Sequence, residues 1–234
     1  MALQLLLPAL QPKPGERVVT IHEVLIALPD SRDRNALEHL KKIEGTHEFM
    51  RNGQHVVASI RKVRAIDETK GAYALAAKHG LFLRPDRING VLDLGGGTSI
   101  ARLYKPNGDI IRSVDCVLPG TVDLARKIDA ALLPKTGKSQ NLGLIMDAIA
   151  DGSFEIGTSG VKFTNIFEPA VNRWIDDIRE RLKGTWGEYL PQIAEVLTIG
   201  GAAPLAKPLE TLTKGRFKLA PSPQILNLKG MEML

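Results

Sequence analysis

Apolar residues along the chain fall into short unbroken runs and into stripes spaced by three and four, and the mixture predicts an α/β protein with hairpins. Residues 23–28 (EVLIAL) form a short run stopped by Pro29, which predicts a strand. Asp30 and Ser31 stand where they can cap a helix over residues 32–43, with Ala36, Leu37, Leu40 and Ile43 on one stripe and Gly45 as its stop. Asn52-Gly53 separates residues 46–51 from 54–66 and signals a hairpin, with Phe49 facing Val56 and His47 facing Ala58. Glu68-Thr69 opens a helix over residues 70–79. Residues 90–94 read as a buried strand, and 99–104 and 109–117 as paired strands around Pro106-Asn107-Gly108. Further helices are expected over 121–133, 142–150, 165–182 and 202–212, with short strands at 195–199 and 217–219. The start, MALQLLLPAL, has neither the basic flank nor the cleavage site of a signal peptide, and reads as the end of a buried helix.

With 234 residues, 44% hydrophobic and 24% charged, the chain is long enough for a substantial core and ordinary for a globular protein. Its one cysteine, Cys116, can form neither an internal disulfide nor a multi-thiolate metal site, which points to a reducing cytoplasm and an inert core thiol. No apolar run nears the roughly 20 residues of a membrane-spanning helix. A net charge of +5 permits a polyanionic partner without requiring one. Lys41-Lys42 and Arg61-Lys62-Arg64 read as a solvated face, so direct nucleic-acid binding is not expected. The five histidines lack metal-ligand spacing. Trp174 lies on an apolar helix stripe; Trp186 suits surface or interdomain packing.

The chemistry concentrates in two glycine loops. In Val91-Leu92-Asp93-Leu94-Gly95-Gly96-Gly97-Thr98 an apolar strand runs into an acid, three glycines and a hydroxyl residue. Glycines let backbone N–H groups approach phosphate oxygens, Thr98 adds a hydroxyl donor, and Asp93 could hold Mg²⁺ or orient water. A tight hairpin with a glycine bulge is the structural alternative. In Val196-Leu197-Thr198-Ile199-Gly200-Gly201-Ala202-Ala203 an apolar strand feeds a small-residue turn that opens a helix, a suitable seat for part of a nucleotide or simply close strand–helix packing. Neither loop carries G-x-G-x-x-G with a later acid. Gly137-Lys138-Ser139 has the tail of a P-loop, but Leu132 stands where its first glycine should be, and it reads as a solvated loop.

VLDLGGGTSIARL resembles the second phosphate loop of the actin–sugar kinase–chaperone ATPase superfamily, and LTIGGAAPLAKPL resembles its adenosine loop. With the Ser222-Pro223-Gln224 to Asn227-Leu228-Lys229-Gly230 ending, the layout is most similar to the ParM/StbA branch of bacterial actin-like ATPases. The resemblance implies an actin-like, ribonuclease H-like fold of two domains, with residues 1–88 as the remainder of domain I and 89–234 as domain II. It implies ATP, with GTP as the alternative, and Mg²⁺ near Asp93. Gly95, Gly96, Gly97 and Thr98 would hold the phosphates, and Gly200, Gly201 and Ala202 the adenosine end. It further implies self-association into filaments, a DNA-binding adaptor protein as partner, and a role in plasmid or DNA segregation. The family places a water-positioning carboxylate on the first domain before a helix. In Val63-Arg64-Ala65-Ile66-Asp67-Glu68-Thr69-Lys70 that place falls to Glu68, with Asp67 as the neighbour; read from the residues alone, Glu68 is equally a first-turn acid favoured by the helix dipole. Glu168, Asn172 and Arg173 are candidates for the edge of the adenosine pocket.

Family members open with a further strand and an Asp-x-Gly phosphate hairpin, and nothing ahead of Val24 matches these. The expectation is therefore a first domain that lacks half of the phosphate clamp, with weak or absent ATPase activity. A sugar or small-molecule kinase of the same superfamily and a non-enzymatic partner-binding fragment are the competing functions.

Overall fold

The computed structural model describes residues 2–234, and for Ala2, Leu3 and Leu5 the backbone alone. The chain divides into two compact units, one ending at Glu68 and the other Thr69–Leu234.

The first unit holds α1 (Ala2–Ala9), β1 (Val18–Ile21), β2 (Val24–Leu28), α2 (Arg34–Lys41), β3 (Gly45–Arg51), β4 (Gln54–Ile60) and β5 (Val63–Asp67). The Asn52-Gly53 hairpin forms in the expected register, with Phe49 opposite Val56 and His47 opposite Ala58. Both turn residues have positive φ, as a type I′ turn requires. Residues 54–66, expected as one strand, break at Arg61-Lys62 into β4 and β5. The break arises because β1 and β2, themselves interrupted at residues 22–23, run parallel to them as two separate partners. The cap of α2 is Asp33, whose carboxylate accepts from the N–H groups of Asn35 and Ala36. The expected caps are engaged elsewhere: Asp30 pairs with Arg32, and Ser31 donates from N and Oγ to Asp67 at 3.0 and 2.9 Å. Leu40 and Ile43 close over Ile60, with Leu6 of α1 packed against them.

The second unit begins with α3 (Lys70–Lys78), ahead of residue 89, because α3 packs along α8 (Leu226–Met231), a C-terminal helix the sequence pattern did not reveal. Between them lie β6 (Ile88–Asp93), β7 (Thr98–Tyr104), β8 (Cys116–Pro119), α4 (Thr121–Thr136), α5 (Leu142–Ala150), α6 (Thr164–Trp186), β9 (Ile193–Ile199), α7 (Lys207–Leu212) and β10 (Phe217–Leu219). The strands form one mixed sheet in the order β10-β9-β6-β7-β8. Both faces of this sheet are covered. Leu92, Leu94, Ala101 and Leu103 meet Leu124 and Ile128 of α4 and Trp174 and Ile178 of α6. Val91, Tyr104, Leu197 and Ile199 on the other face meet Ala72 and Ala76 of α3 and Leu226 of α8. A central strand buried on both sides needs apolar residues without alternation, which is why residues 90–94 read as a continuous run.

Two expectations are corrected here. The partner of β7 is Cys116–Pro119, not a strand starting at 109; after Gly108 the chain makes only the Tyr104–Ile110 bridge and then a 3-10 turn over Arg112–Val114. Trp186 is not at the surface. It is fully buried in this unit, and its indole donates to the Val114 carbonyl at 3.0 Å. Trp174 is buried as expected and donates to Pro119. Cys116 is a buried free thiol. Among the described residues no helix is long and apolar enough to cross a membrane.

Candidate functional site

β6 and β9 are parallel neighbours, with Asp93 opposite Ile199. Both strands therefore release their glycine turns at the same edge of the sheet, the carboxyl end where open α/β sheets bind ligands. The turns touch through backbone. Leu94 N–H donates to the Ile199 carbonyl at 2.8 Å, and Ala202 N–H donates to the Leu94 carbonyl at 3.1 Å. Asp93, Gly95, Gly96, Gly97, Thr98, Gly200, Gly201 and Ala202 are thus brought to one edge of the second unit. Glu68 is the last residue of the first unit, half-buried, with its N–H donating to Leu28. Asp67 is held by Ser31.

A third element fixes the triglycine turn. Thr121 N–H and Oγ donate to the Gly95 carbonyl, both at 3.0 Å, and Val122 N–H donates to the Gly96 carbonyl at 2.9 Å. The first turn of α4 thus spends two of its otherwise unbonded N–H groups on the loop carbonyls. Gly120 makes this approach possible, since a Cβ there would stand 2.6 Å from the Gly96 carbonyl oxygen. Sequence reading missed Gly120, because Pro119-Gly120 has only the signature of a turn. With the Gly95 and Gly96 carbonyls committed to α4, Gly95, Gly96 and Gly97 offer N–H groups that have no acceptor among the described residues. The N–H of Gly201 is in the same state. Three successive unbonded N–H groups are donors suited to an anion.

Asp93 is the negative counterpart. Its carboxylate has no hydrogen-bond or ion-pair partner among the described residues, and burial pushes its pKa above the usual carboxylate range. Among the described residues no group of three or more His, Cys, Asp and Glu could hold a metal. A cation at Asp93 would therefore draw its other ligands from water and phosphate oxygens, the ordinary manner of Mg²⁺.

Beside the turns lies a hollow of about 470 Å³, bordered by Gly96, Gly201 and Ala202, walled by Met146 and Ile149 of α5, with Gln224 as a polar group. A smaller one of about 340 Å³ adjoins Gly200 and residues 222–225. Size and lining suit an aromatic base with a polar contact. The wall comes from α5; the α6 residues Glu168, Asn172 and Arg173 do not line it. Bare N–H groups, an unpartnered carboxylate and an apolar hollow at one edge fit a magnesium nucleotide.

No protein-family model and no curated protein matches this sequence. Solved structures do. An archaeal actin homolog superimposes with a TM-score of 0.77 at 14% identity, covering 91% of this chain and 70% of that one. Its complex with ADP gives 0.75 at 14% identity over 89% and 70%. A 15-stranded ParM filament from Clostridium botulinum gives 0.70 at 17% identity, covering 99% of this chain and 70% of that one. The chain therefore has the actin-like α/β fold of the ParM type.

Proposed function

We propose that this chain is an actin-like protein of the ParM/StbA type that binds ATP with Mg²⁺ and associates into filaments that serve plasmid or DNA segregation, with an adaptor protein joining filament to DNA. The observation that carries the nucleotide reading is the meeting of the 93–98 and 200–202 turns at one sheet edge, with free N–H groups and an unpaired carboxylate. An ADP complex among the similar folds supports it. The self-association reading is supported by the ParM filament.

In this proposal the N–H groups of Gly95, Gly96 and Gly97 and the Thr98 hydroxyl hold phosphate oxygens. Asp93 holds the metal, which would neutralise phosphate charge. Met146 and Ile149 cover the base, and Gly201 and Ala202 let the nucleoside lie against backbone. Glu68 is assigned the orientation of water.

Titration calorimetry with ATP and GTP, with and without Mg²⁺, tests the reading. Binding that strengthens with Mg²⁺ and weakens at least about tenfold in Asp93→Ala, a loss of about 1.4 kcal/mol, is expected. Absence of binding at millimolar nucleotide would refute it. Nucleotide-dependent sedimentation and electron microscopy test filament formation. Product analysis separates the kinase alternative, since a kinase yields a phosphorylated metabolite and an ATPase free phosphate.

A further inference from the structure

The hollow beside the glycine turns has one wall residue whose chemistry can change. α5 is pinned by Ile145 and Ala148, buried in the core, and turns Met146 and Ile149 toward the hollow. A helix anchored in this way cannot move its wall aside, because the core beneath it is close-packed. Met146 is half-buried, and its methyl carbon lies 3.7 Å from the place a Gly96 Cβ would take. The thioether therefore reaches from the apolar wall to the triglycine turn. Of the described residues that line the hollow, Met146 alone is readily oxidised.

Oxidation turns an apolar, polarizable thioether into a dipole with a strong acceptor oxygen. In this hollow it has two consequences of the same sign. A wall suited to the face of an aromatic base becomes polar and loses its sulfur–aromatic contact. The new oxygen also arrives at a turn whose Gly95, Gly96 and Gly97 N–H groups lack an acceptor, where it competes with phosphate for those donors. The other methionines with described side chains have no such place. Met50 is 65% exposed in β3 of the first unit, and Met231 packs where α3 and α8 cross, its sulfur 4.0 Å from Asn227 Nδ2. Neither lines the hollow.

We infer that Met146 is a modification site that switches nucleotide binding off: a peroxide converts it to the sulfoxide, and the sulfoxide form releases the nucleotide. The inference rests on the nucleotide reading of this site. In the step, the thioether sulfur attacks one peroxide oxygen. An S–O bond forms as the O–O bond breaks, the sulfur is oxidised by two electrons, and the second oxygen leaves as water. Methionine sulfoxide reductase reverses the change.

The test treats the full chain with hydrogen peroxide to partial oxidation and passes it over immobilised ATP with Mg²⁺. Peptide mass spectrometry then reads each methionine in the retained and unretained fractions. The retained fraction is expected to be poorer in Met146 sulfoxide by at least about tenfold, the size expected when a sulfur–aromatic contact and one loop hydrogen bond are lost together. It is expected to match the unretained fraction in Met50 and Met231 sulfoxide. Mg-ATP present during oxidation is expected to slow the reaction at Met146 and leave that at Met50 unchanged, a measurement that needs no variant. Reductase treatment is expected to restore retention. Met146→Leu sets its own starting affinity, which peroxide is expected to leave where it is. Equal Met146 sulfoxide in both fractions, no protection by Mg-ATP, no oxidation at Met146 while Met50 reacts, or loss of retention that follows Met231 instead overturns the inference and leaves the nucleotide reading standing. Untreated chain that is not retained overturns both.

Discussion

Gly200→Ala tests the contact on which the candidate site depends. Gly200 has φ +95°, and a Cβ there would stand 2.5 Å from both Asp93 Oδ1 and the Leu94 carbonyl oxygen, and 2.8 Å from Leu94 N. Two of these three atoms are backbone and cannot swing aside as a side-chain tip can. The turns would have to part by several tenths of an ångström, stretching the 2.8 Å Leu94–Ile199 and 3.1 Å Ala202–Leu94 hydrogen bonds. A non-glycine residue at this φ costs about 1–2 kcal/mol. Overpacking adds about 1–3 kcal/mol and a weakened buried hydrogen bond about 1 kcal/mol. The total is about 3–6 kcal/mol, which at about 2–4 °C per kcal/mol for a chain of this size lowers the melting temperature by about 6–24 °C. Gly97→Ala is the control: a Cβ there has nothing within 4 Å and φ is not in the left-handed region, so its cost is about 0.5 kcal/mol or less. Thermal unfolding followed by circular dichroism, with calorimetry of Mg-ATP binding on each variant, reads both effects. If Gly200→Ala melts within about 2 °C of the parent and binds nucleotide equally well, the turns are not in the contact described.

Three other substitutions separate stability from function. Burial raises the Asp93 pKa, so the folded chain holds that proton more tightly than the unfolded chain. The resulting stabilisation is complete below the unfolded value of about 3.9 and is lost as pH rises through the higher folded value. Asp93→Asn cannot ionise; it is expected to melt above the parent at pH 7, by a margin that shrinks as pH falls into the carboxylate range, while binding Mg-ATP more weakly. A lower melting temperature at pH 7 would show that the carboxylate stabilises the fold instead. Gly230→Ala places a Cβ 1.8 Å from the Gly71 carbonyl oxygen, where α3 and α8 cross, and is expected to cost about 3 kcal/mol or more in urea unfolding. Gly184→Ala, in α6 with nothing within 4 Å, is expected to gain stability, by up to about 1 kcal/mol.

The glycine turns were legible because their chemistry is local: an apolar strand, an acid and residues without side chains define a backbone cradle whatever surrounds it. That β6 and β9 would lie side by side was not written in either segment alone, and entered through resemblance to a family. The pairing of β7 was misread for a physical reason. Pro106-Asn107-Gly108 does turn the chain, but burial of Cys116 and Leu118 and the ion pair of buried Arg102 with Asp115 draw the partner strand to 116–119. α8 was invisible because six residues including a glycine make a poor helix alone; it forms where Gly230 lets α3 come close. The wall of the hollow fell to α5, not α6, since an apolar stripe shows which face of a helix is buried but not which neighbour it meets.

The charges at the sheet edge narrow what can bind there. The unbonded N–H groups of Gly95, Gly96 and Gly97 favour an anion, and the half-buried Asp93 carboxylate favours a cation. They do not satisfy each other: Asp93 accepts from none of the three, because the strand carries it to the side shared with Gly200 while α4 holds the glycine carbonyls on another. A free phosphate would satisfy the donors and be repelled by Asp93. A bare divalent cation would pair with Asp93 and face the positive ends of the donors. A metal-bound phosphate serves both, its oxygens on the N–H groups and its cation toward the carboxylate. The edge should therefore bind the metal and the phosphate together far more tightly than either alone, with each raising the affinity for the other by the same factor.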